Sequence, residues 1–288
     1  MRWVIGAVVG LALAPSAFAA DLDSWIAPQP AGSWLGPQPV GPATFTRWSG
    51  WYFGGQGGYS NVSADLSQAT APLLAFSLRE LALEQVDQVS TWPVVSGGST
   101  SGASYGAFGG YNTQWQDLTL GLELGYTHVG VTPTATSTPI SRQTSAGGNT
   151  YDVTVQGSAS LKLIDYASLR ARAGYVIGDF LPYGYAGFVL GRADYTLTSL
   201  VFGQENPSSP PVVPCNLGLS PTCVDFSFAN SNAKTDALLY GFSVGGGVDY
   251  AVTQNIFIRG EFEYVRFAPL ENIPVAVTSG RLGLGFRV

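Results

Sequence analysis

The amino-acid sequence predicts an all-β fold, an eight-stranded antiparallel up-and-down transmembrane β-barrel. The stretch Tyr240 to Phe267 gives the clearest signal, because apolar and polar residues alternate with a period of two on both sides of the break Thr253-Gln254-Asn255. Only 11% of residues are charged while 45% are hydrophobic, whereas soluble domains carry about 25% charged residues. Beyond residue 20 no run reaches the ~18 apolar residues of a spanning helix. A membrane-spanning chain of this kind must therefore use strands closed into a barrel.

Residues 1–19 are predicted to be a secretory signal peptide. Val4 to Ala14 forms its apolar core, and Ala17-Phe18-Ala19 forms a small-x-small cleavage site. The apolar run is too short for a membrane anchor, which needs about 18 residues. Residues 20–48 are rich in Pro, Gly and Ala, which oppose helix and strand alike. We expect an extended periplasmic segment there, and its tryptophans leave a peptidoglycan or partner contact open.

Residues 49–288 are predicted to form the barrel, because alternating segments recur throughout them. The predicted strands are Trp51–Ser60, Gly102–Asn112, Leu118–Val129, Val153–Ile177, Leu181–Leu197, the two strands of the hairpin Tyr240–Phe267, and Val275–Val288. Between them we expect long extracellular loops at about 61–101, 130–152, 198–235 and 268–274.

The first and third strands each have one apolar face. Trp51, Phe53 and Tyr59 share a face of the first strand. The third strand alternates almost completely, with the outward face formed by Leu118, Leu120, Leu122, Leu124 and Tyr126. In the insertion after strand one, residues 61–100, helical spacing of apolar residues predicts a short helix capping the barrel, although part of it would also suit an extended strand.

The fourth and fifth strands are joined by the tight turn Gly178-Asp179. The fourth is longer than the 9–11 residues that cross a bilayer, so part of it should stand above the lipid. Its predicted outward residues are Leu161, Leu163, Ala167, Leu169, Ala171, Ala173 and Tyr175. In the fifth strand the predicted outward residues are Tyr183, Tyr185, Val189 and Tyr195.

The loop after strand five contains the only cysteines, Cys215 and Cys223. In a secreted chain an even pair this close predicts a disulfide within the loop. A metal site would need further ligands, and the sequence has one histidine. No cofactor is predicted.

Long connections alternate with short turns along the chain, a pattern typical of bacterial outer-membrane barrels with the turns in the periplasm. An even strand count then places both termini on the periplasmic side. Five stretches also carry a family resemblance, namely Trp48-Ser-Gly-Trp-Tyr-Phe-Gly-Gly, Gly109-Gly-Tyr-Asn-Thr-Gln-Trp, Gly121-Leu-Glu-Leu-Gly-Tyr, Leu169-Arg-Ala-Arg-Ala-Gly-Tyr and Val244-Gly-Gly-Gly-Val-Asp-Tyr. They resemble the alphaproteobacterial porin-family or surface-antigen barrels, distant relatives of the OmpA membrane domain. The chain departs from that family in ending with Val288 where Phe is usual. The resemblance implies an eight-stranded barrel exposed at the cell surface and no catalytic residues.

Parity along the strands predicts a set of charged side chains inside the barrel. These are Glu123, Lys162, Arg170, Arg172, Arg192, Asp194, Asp249, Arg259, Glu261, Glu263, Arg281 and Arg287. Unpaired buried charge is costly, so we expect a paired network that fills the lumen. The alternative is a charged constriction that conducts small solutes. Eight strands leave an interior just wide enough for side chains, which favours the filled lumen.

We therefore expect a non-enzymatic integral protein of a Gram-negative outer membrane, serving envelope structure and surface presentation of its loops. A lipid-modifying enzyme is the remaining alternative, but His128 has no serine within the next few residues. The expected partners are outer-membrane lipids and lipopolysaccharide, with the barrel-assembly machinery during biogenesis. Host-surface contacts stay open, and no oligomeric state is predicted. A net charge of −6 argues against nucleic acid.

Overall fold

The computed structural model describes four stretches of the chain, residues 46–79, 82–92, 94–207 and 223–288. The signal peptide predicted for residues 1–19 lies outside them, as do Cys215 and all but the last three residues of the Pro-rich segment 20–48. The described residues belong to the unit Phe45–Val288.

Eight long strands of the described residues form a closed ring, which confirms the predicted fold class. They are β1 Gly50–Ala64, β2 Gly98–Trp115, β3 Leu118–Val131, β6 Asn149–Tyr175, β7 Phe180–Asn206, β8 Val224–Ala251, β9 Ile256–Phe267 and β10 Val275–Arg287. Each long strand pairs antiparallel with the next, β3 pairs with β6, and β1 pairs with β10 to close the ring. Two short strands, β4 Thr134–Thr136 and β5 Ile140–Ala146, pair with the far part of β6.

The connections divide the barrel into a turn end and a loop end. The turn end holds the short turns β2–β3, β6–β7 and β8–β9, and both the start of β1 and the end of β10. At the loop end, the insertion between β1 and β2 forms helix α1 Ala71–Leu78, helix α2 Ala82–Asp87 and a 3-10 turn at Val89–Thr91. The helical alternative for this insertion is therefore the one observed. No helix among the described residues combines the length and apolarity needed to cross a bilayer.

The strands extend further toward the loop end than the sequence predicted. β7 continues to Asn206 and β8 begins at Val224, so most of the predicted loop 198–235 is paired strand. The predicted loops 61–101 and 130–152 are likewise shortened by longer flanking strands and, in the second, by β4 and β5. The reason is that β6, β7 and β8 keep satisfying one another's backbone groups beyond the ring.

Two β-bulges exchange the inner and outer faces of the longest strands. In β6 the pairing with β7 shifts between Leu163 and Asp165, and in β8 the shift falls between Lys234 and Ala237. On the turn-end side of the β6 bulge Leu169 faces out with 50% exposure, whereas on the loop-end side Leu163 is fully buried. One extra residue reverses side-chain parity. We call the parts of β6, β7 and β8 on the loop-end side, with β4 and β5, the upper sheet.

The barrel interior is filled in three layers. An aromatic layer closes the turn end and comprises Trp48, Tyr52, Phe108, Val176, Leu181, Ala251 and Phe257. Buried charges occupy the middle. Toward the loop end the upper sheet covers an apolar core, into which α1 inserts Leu74 and Leu78, both 0% exposed.

The outer wall of the ring is an apolar belt with aromatic rims. Leu122, Leu124, Phe262 and Leu282 are each more than half exposed in its middle. The turn-end rim contains Trp51, Tyr111, Trp115, Tyr175, Phe180 and Tyr250, and the loop-end rim contains Tyr59, Tyr105, Tyr126 and Tyr240. An apolar outside between two aromatic rims and a polar inside is the arrangement of membrane barrels.

Candidate functional site

Strand register places opposite charges directly across from one another in the middle layer. Glu123 on β3 is the pairing partner of Arg170 on β6, and Asp249 on β8 that of Arg259 on β9. Glu261 on β9 similarly faces Arg281 on β10. Because cross-strand neighbours on one face lie about 5 Å apart, each pair can form an ion pair without spanning the lumen.

Glu123 is the hub of the half of the network nearer the turn end. One carboxylate oxygen, Oε1, accepts from Arg170 Nη2, and the other, Oε2, accepts from Arg259 Nη1 at 2.8 Å and Arg172 Nη1 at 3.1 Å. The Tyr52 hydroxyl also donates to Oε2 at 2.9 Å. Glu123 is only 3% exposed, so one buried carboxylate contacts three guanidinium groups, and the remaining positive charge must be met by other carboxylates.

Asp249 supplies the second carboxylate of this half. Arg259 donates to both of its oxygens, from Nε at 2.8 Å and from Nη2 at 3.2 Å. Arg172 Nη2 donates to Oδ2 at 2.8 Å. Such two-point contacts between guanidinium and carboxylate are stronger and more directional than single ones.

The other half of the network joins Glu261 and Glu263 to two arginines. Arg170 Nη1 lies 2.9 Å from Glu261 Oε1 and 3.2 Å from Glu263 Oε1. Arg281 Nη2 lies 3.1 Å from Glu261 Oε1 and also contacts Glu263 Oε2. Arg170 thus bridges both halves. With four arginines and four carboxylates, the network carries no net charge.

Tyrosines complete the network, and sequence reasoning placed two of them on the wrong face. Tyr183 and Tyr185 are buried, not lipid-facing, and their rings stack against guanidinium groups at 3.8 Å from Arg172 and 4.3 Å from Arg170. They fit because their β8 partners are Gly247 and Gly245, whose missing side chains leave room for the rings. The same hidden face of β7 includes Val189 and Tyr195, which were also predicted to face out.

Tyr52 and Tyr166 were not singled out by the sequence. The Tyr166 hydroxyl donates to Glu263 Oε2 at 2.7 Å, and the Tyr183 hydroxyl donates to Glu261 Oε2 at 3.0 Å. Every carboxylate of the network except Asp249 therefore accepts from a tyrosine among the described residues. The sequence did offer a signal for these tyrosines, because a glycine on the neighbouring strand leaves room for a large side chain.

Three of the predicted interior charges lie outside the barrel. Lys162 is exposed, because the β6 bulge turns it outward and turns Leu161 and Leu163 inward. Arg192 and Asp194 also face out, since the inward face of β7 is the tyrosine face; the Arg192 side chain is 53% exposed and pairs with Asp165. These charged side chains lie beyond the loop-end rim, where water can solvate them.

The other predicted residues lie inside, in the arrangement already given for Glu123, Arg170, Arg172, Asp249, Arg259, Glu261, Glu263 and Arg281. Arg287 is also buried, but at the turn-end mouth rather than in the network. Cys223 is disulfide-bonded. Because Cys215 lies outside the described residues, the pairing of the two stays a prediction.

The residues before β1 form an N-terminal strap, residues 46–49, across the turn-end mouth. Thr46 Oγ1 donates to Asp179 Oδ1 at 2.6 Å, in the β6–β7 turn on the far side of the ring. Trp48 is 2% exposed and packs on Phe257 at 5.9 Å between ring centroids. Arg287 donates to the Arg47 carbonyl at 2.9 Å and lies 4.2 Å from the Trp48 ring. The strap thereby closes the mouth with an indole.

The described residues bear on metal binding through their His, Cys, Asp and Glu side chains. No group of three or more His, Cys, Asp and Glu side chains among them is placed to hold a metal ion. His128 lies at the loop-end rim, 5.1 Å from Tyr105 between ring centroids. The arrangement pairs the buried charges with one another, links the strands across the lumen and fills it.

Comparison with known proteins gives a family match. Residues 38–287 match the model described as outer membrane protein beta-barrel domain. None of the curated proteins matched the chain. Among solved structures it is similar to Neisserial surface protein A, at 14% identity over 83% of this chain and 98% of that one, with a TM-score of 0.38. Ail, the attachment invasion locus protein of Yersinia pestis, shows 14% identity over 83% and 99%, with a TM-score of 0.34. The outer membrane protease OmpT from Escherichia coli shows 8% identity over 83% and 97%, with a TM-score of 0.37.

Proposed function

The chain belongs to the outer membrane protein beta-barrel domain family, and on that premise we propose that it is a non-enzymatic barrel of the Gram-negative outer membrane. Its work in this proposal is to add a rigid, sealed barrel to the envelope and to display the upper sheet and loops at the cell surface. Lipopolysaccharide surrounds it, and the barrel-assembly machinery inserts it.

The filled lumen is the observation that carries this proposal. Arg170 and Arg259 are 1% and 2% exposed, and Glu263 is fully buried. Layers of aromatic and apolar side chains lie on either side of these charges. A conducting pore needs hydrated ions to pass between its charges, whereas here each charge is held by protein partners.

Strand length supports the orientation. β6 and β7 have 27 residues each and β8 has 28, against about 9–11 needed to cross a bilayer. Among the described residues, only the loop end extends beyond the apolar belt by that margin. Outer-membrane barrels carry short periplasmic turns and long external loops, so we place the upper sheet outside and both termini in the periplasm.

Planar-bilayer recording of the refolded protein tests the sealed barrel. We expect no steady conductance steps above the protein-free bilayer. Reproducible steps that Arg170→Ala or Glu263→Ala alters would establish the alternative, a narrow channel for small solutes. A heat-modifiable band in the outer-membrane fraction tests fold and location in the same preparation.

Enzymatic activity on lipid is tested separately. Lipid A from cells with and without the protein is compared by mass spectrometry, and we expect identical spectra. A mass difference that disappears with His128→Ala would contradict the non-enzymatic assignment.

A further inference from the structure

The outer face of the upper sheet carries a hydroxyl row, Thr136, Ser158, Thr198 and Ser231. Strand register aligns them, since Thr136 pairs with Ser158, Ser158 with Thr198, and Thr198 with Ser231. All four are exposed or half-exposed. With neighbouring strands about 4.8 Å apart, the row extends over about 14 Å.

A groove runs along this hydroxyl row. Its other wall is the next outward row toward the loop end, formed by Gln156, Leu200 and Ala229, which are aligned by the same register. Both walls line one concavity of about 450 Å³. The groove is open to solvent and crosses the strands of the upper sheet transversely.

The groove is lined by neutral groups. It is lined by hydroxyls, the amides of Gln156 and Asn230 and the apolar surfaces of Leu200 and Ala229, with no charged residue among those lining it. The nearest charges on this face toward the barrel, Lys162 and Asp194, lie two rows away from the hydroxyl row. Ser158 Oγ and Thr198 Oγ1 are 2.6 Å apart and hydrogen-bond to each other, so both oxygens keep free lone pairs.

This chemistry suits a neutral sugar chain. Sugars present hydroxyls that donate and accept around a ring whose C–H surface is apolar, and the groove offers hydroxyls along one wall and Leu200 on the other. An anionic ligand would find no cation among the described residues that line the groove. Hydrogen bonds with neutral partners fix orientation while apolar contact supplies burial.

Height above the membrane identifies the source of the sugar. Thr198 lies eight residues beyond Leu190, an outward residue of β7 that is 56% exposed beside Tyr240 of the loop-end rim. At about 3.3 Å per residue and a strand tilt near 40°, the groove lies about 20 Å above the belt. The layer at this height around an outer-membrane barrel is lipopolysaccharide saccharide. Resting on the proposed function for its orientation, we infer that the groove binds neutral sugars of lipopolysaccharide in its own leaflet.

The test uses the full chain folded in detergent and the lipid-free saccharide released from lipopolysaccharide by mild acid. Isothermal titration and saturation-transfer NMR are expected to show binding. Ala229→Trp fills the groove and should abolish it, while Ala229→Ser, at the same site, should bind as the wild type does. Thr198→Val removes one hydroxyl and should weaken binding about fivefold to tenfold. Ser63→Ala, which removes an exposed hydroxyl from β1, is the control.

Several results would overturn the inference. These are no saccharide binding by the wild type, equal binding by Ala229→Trp, binding of intact lipopolysaccharide but not of its saccharide, and preferential binding of a neutral host-type glycan. Heat-modifiability is measured on every variant. A heat-modifiable outer-membrane barrel that fails to bind saccharide refutes the groove alone, whereas a protein that is not heat-modifiable refutes the proposed function as well.

Discussion

Glu123→Gln should destabilise the barrel strongly, because Glu123 is the only carboxylate among the described residues that contacts Arg170, Arg172 and Arg259 together. The amide keeps the volume of the side chain but removes its charge. The balanced network of four arginines and four carboxylates then has one uncompensated positive charge at a site 3% exposed. Removing one partner of a buried ion pair costs about 3–5 kcal/mol, and we expect a loss of that size in the free energy of unfolding.

Urea unfolding in phospholipid vesicles, followed by tryptophan fluorescence and by the heat-modifiable band, measures that loss. Lys162→Gln is the matched control, because the bulge in β6 places Lys162 in solvent. Surface substitutions of this kind change stability by less than about 0.5 kcal/mol. The double variant Glu123→Gln/Arg172→Gln restores neutrality and should recover more than about 1 kcal/mol relative to additivity.

Equal stability of Glu123→Gln and Lys162→Gln would refute the reasoning. It would mean that water reaches the middle layer and screens the arginines, which is the physical condition for a conducting lumen. Conductance and stability would then have to change together, so the two measurements check one another.

Three further outcomes follow from the packing. Trp48→Ala should lower the unfolding free energy by about 3–5 kcal/mol in the same urea assay, because its ring is buried in the turn-end mouth. Trp51 is 66% exposed, so Trp51→Ala should have a smaller effect. Equal effects of the two substitutions would exclude a sealing role for the strap. Gly245→Ala should cost about 1–3 kcal/mol, because the added methyl meets both the Phe262 carbonyl oxygen and the Tyr185 hydroxyl, while Gly280→Ala meets nothing within 4 Å among the described residues. Identical gel mobility and stability of the two variants would contradict this packing. Leu122→Arg, in the middle of the belt, should cost about 2–4 kcal/mol in lipid, and the absence of a penalty in vesicles would show that this face does not contact hydrocarbon.

The sequence was sufficient for the ring itself and for most of the buried charges. Alternation in β3, in the β8–β9 hairpin and in β10 left one face free of charge except for Arg266 near the loop end. Parity therefore assigned Glu123, Asp249 and Glu263 to the interior without knowledge of the register. The turn-and-loop pattern then required an even, closed set of strands, which the pairing of β1 with β10 confirms.

The errors arose where pattern alone has two solutions. Both faces of β7 are apolar or aromatic within the belt, so the choice between Tyr183 and Phe188 as the lipid-facing residue depends on the neighbouring strand. Glycines of β8 decide it by leaving space for tyrosine rings, and cross-strand register is not visible in a single sequence. The misplacement of Lys162 had a different cause, because a bulge adds a residue without interrupting the apolar periodicity.

That bulge divides β6 into a part that belongs to the apolar belt and a part that belongs to the upper sheet. On the turn-end side of Ile164, Leu169 lies on the apolar belt. On the loop-end side, Leu161 and Leu163 have the same parity but are buried beneath the solvent-exposed upper sheet. Deleting one residue at the bulge would reverse the side-chain parity of the loop-end part of β6, which would expose Leu161 and Leu163 and bury Lys162. Insertions of two residues on the loop-end side of the bulge should therefore be tolerated, whereas insertions of one residue should not. The height of the upper sheet above the belt can then change only in steps of two residues.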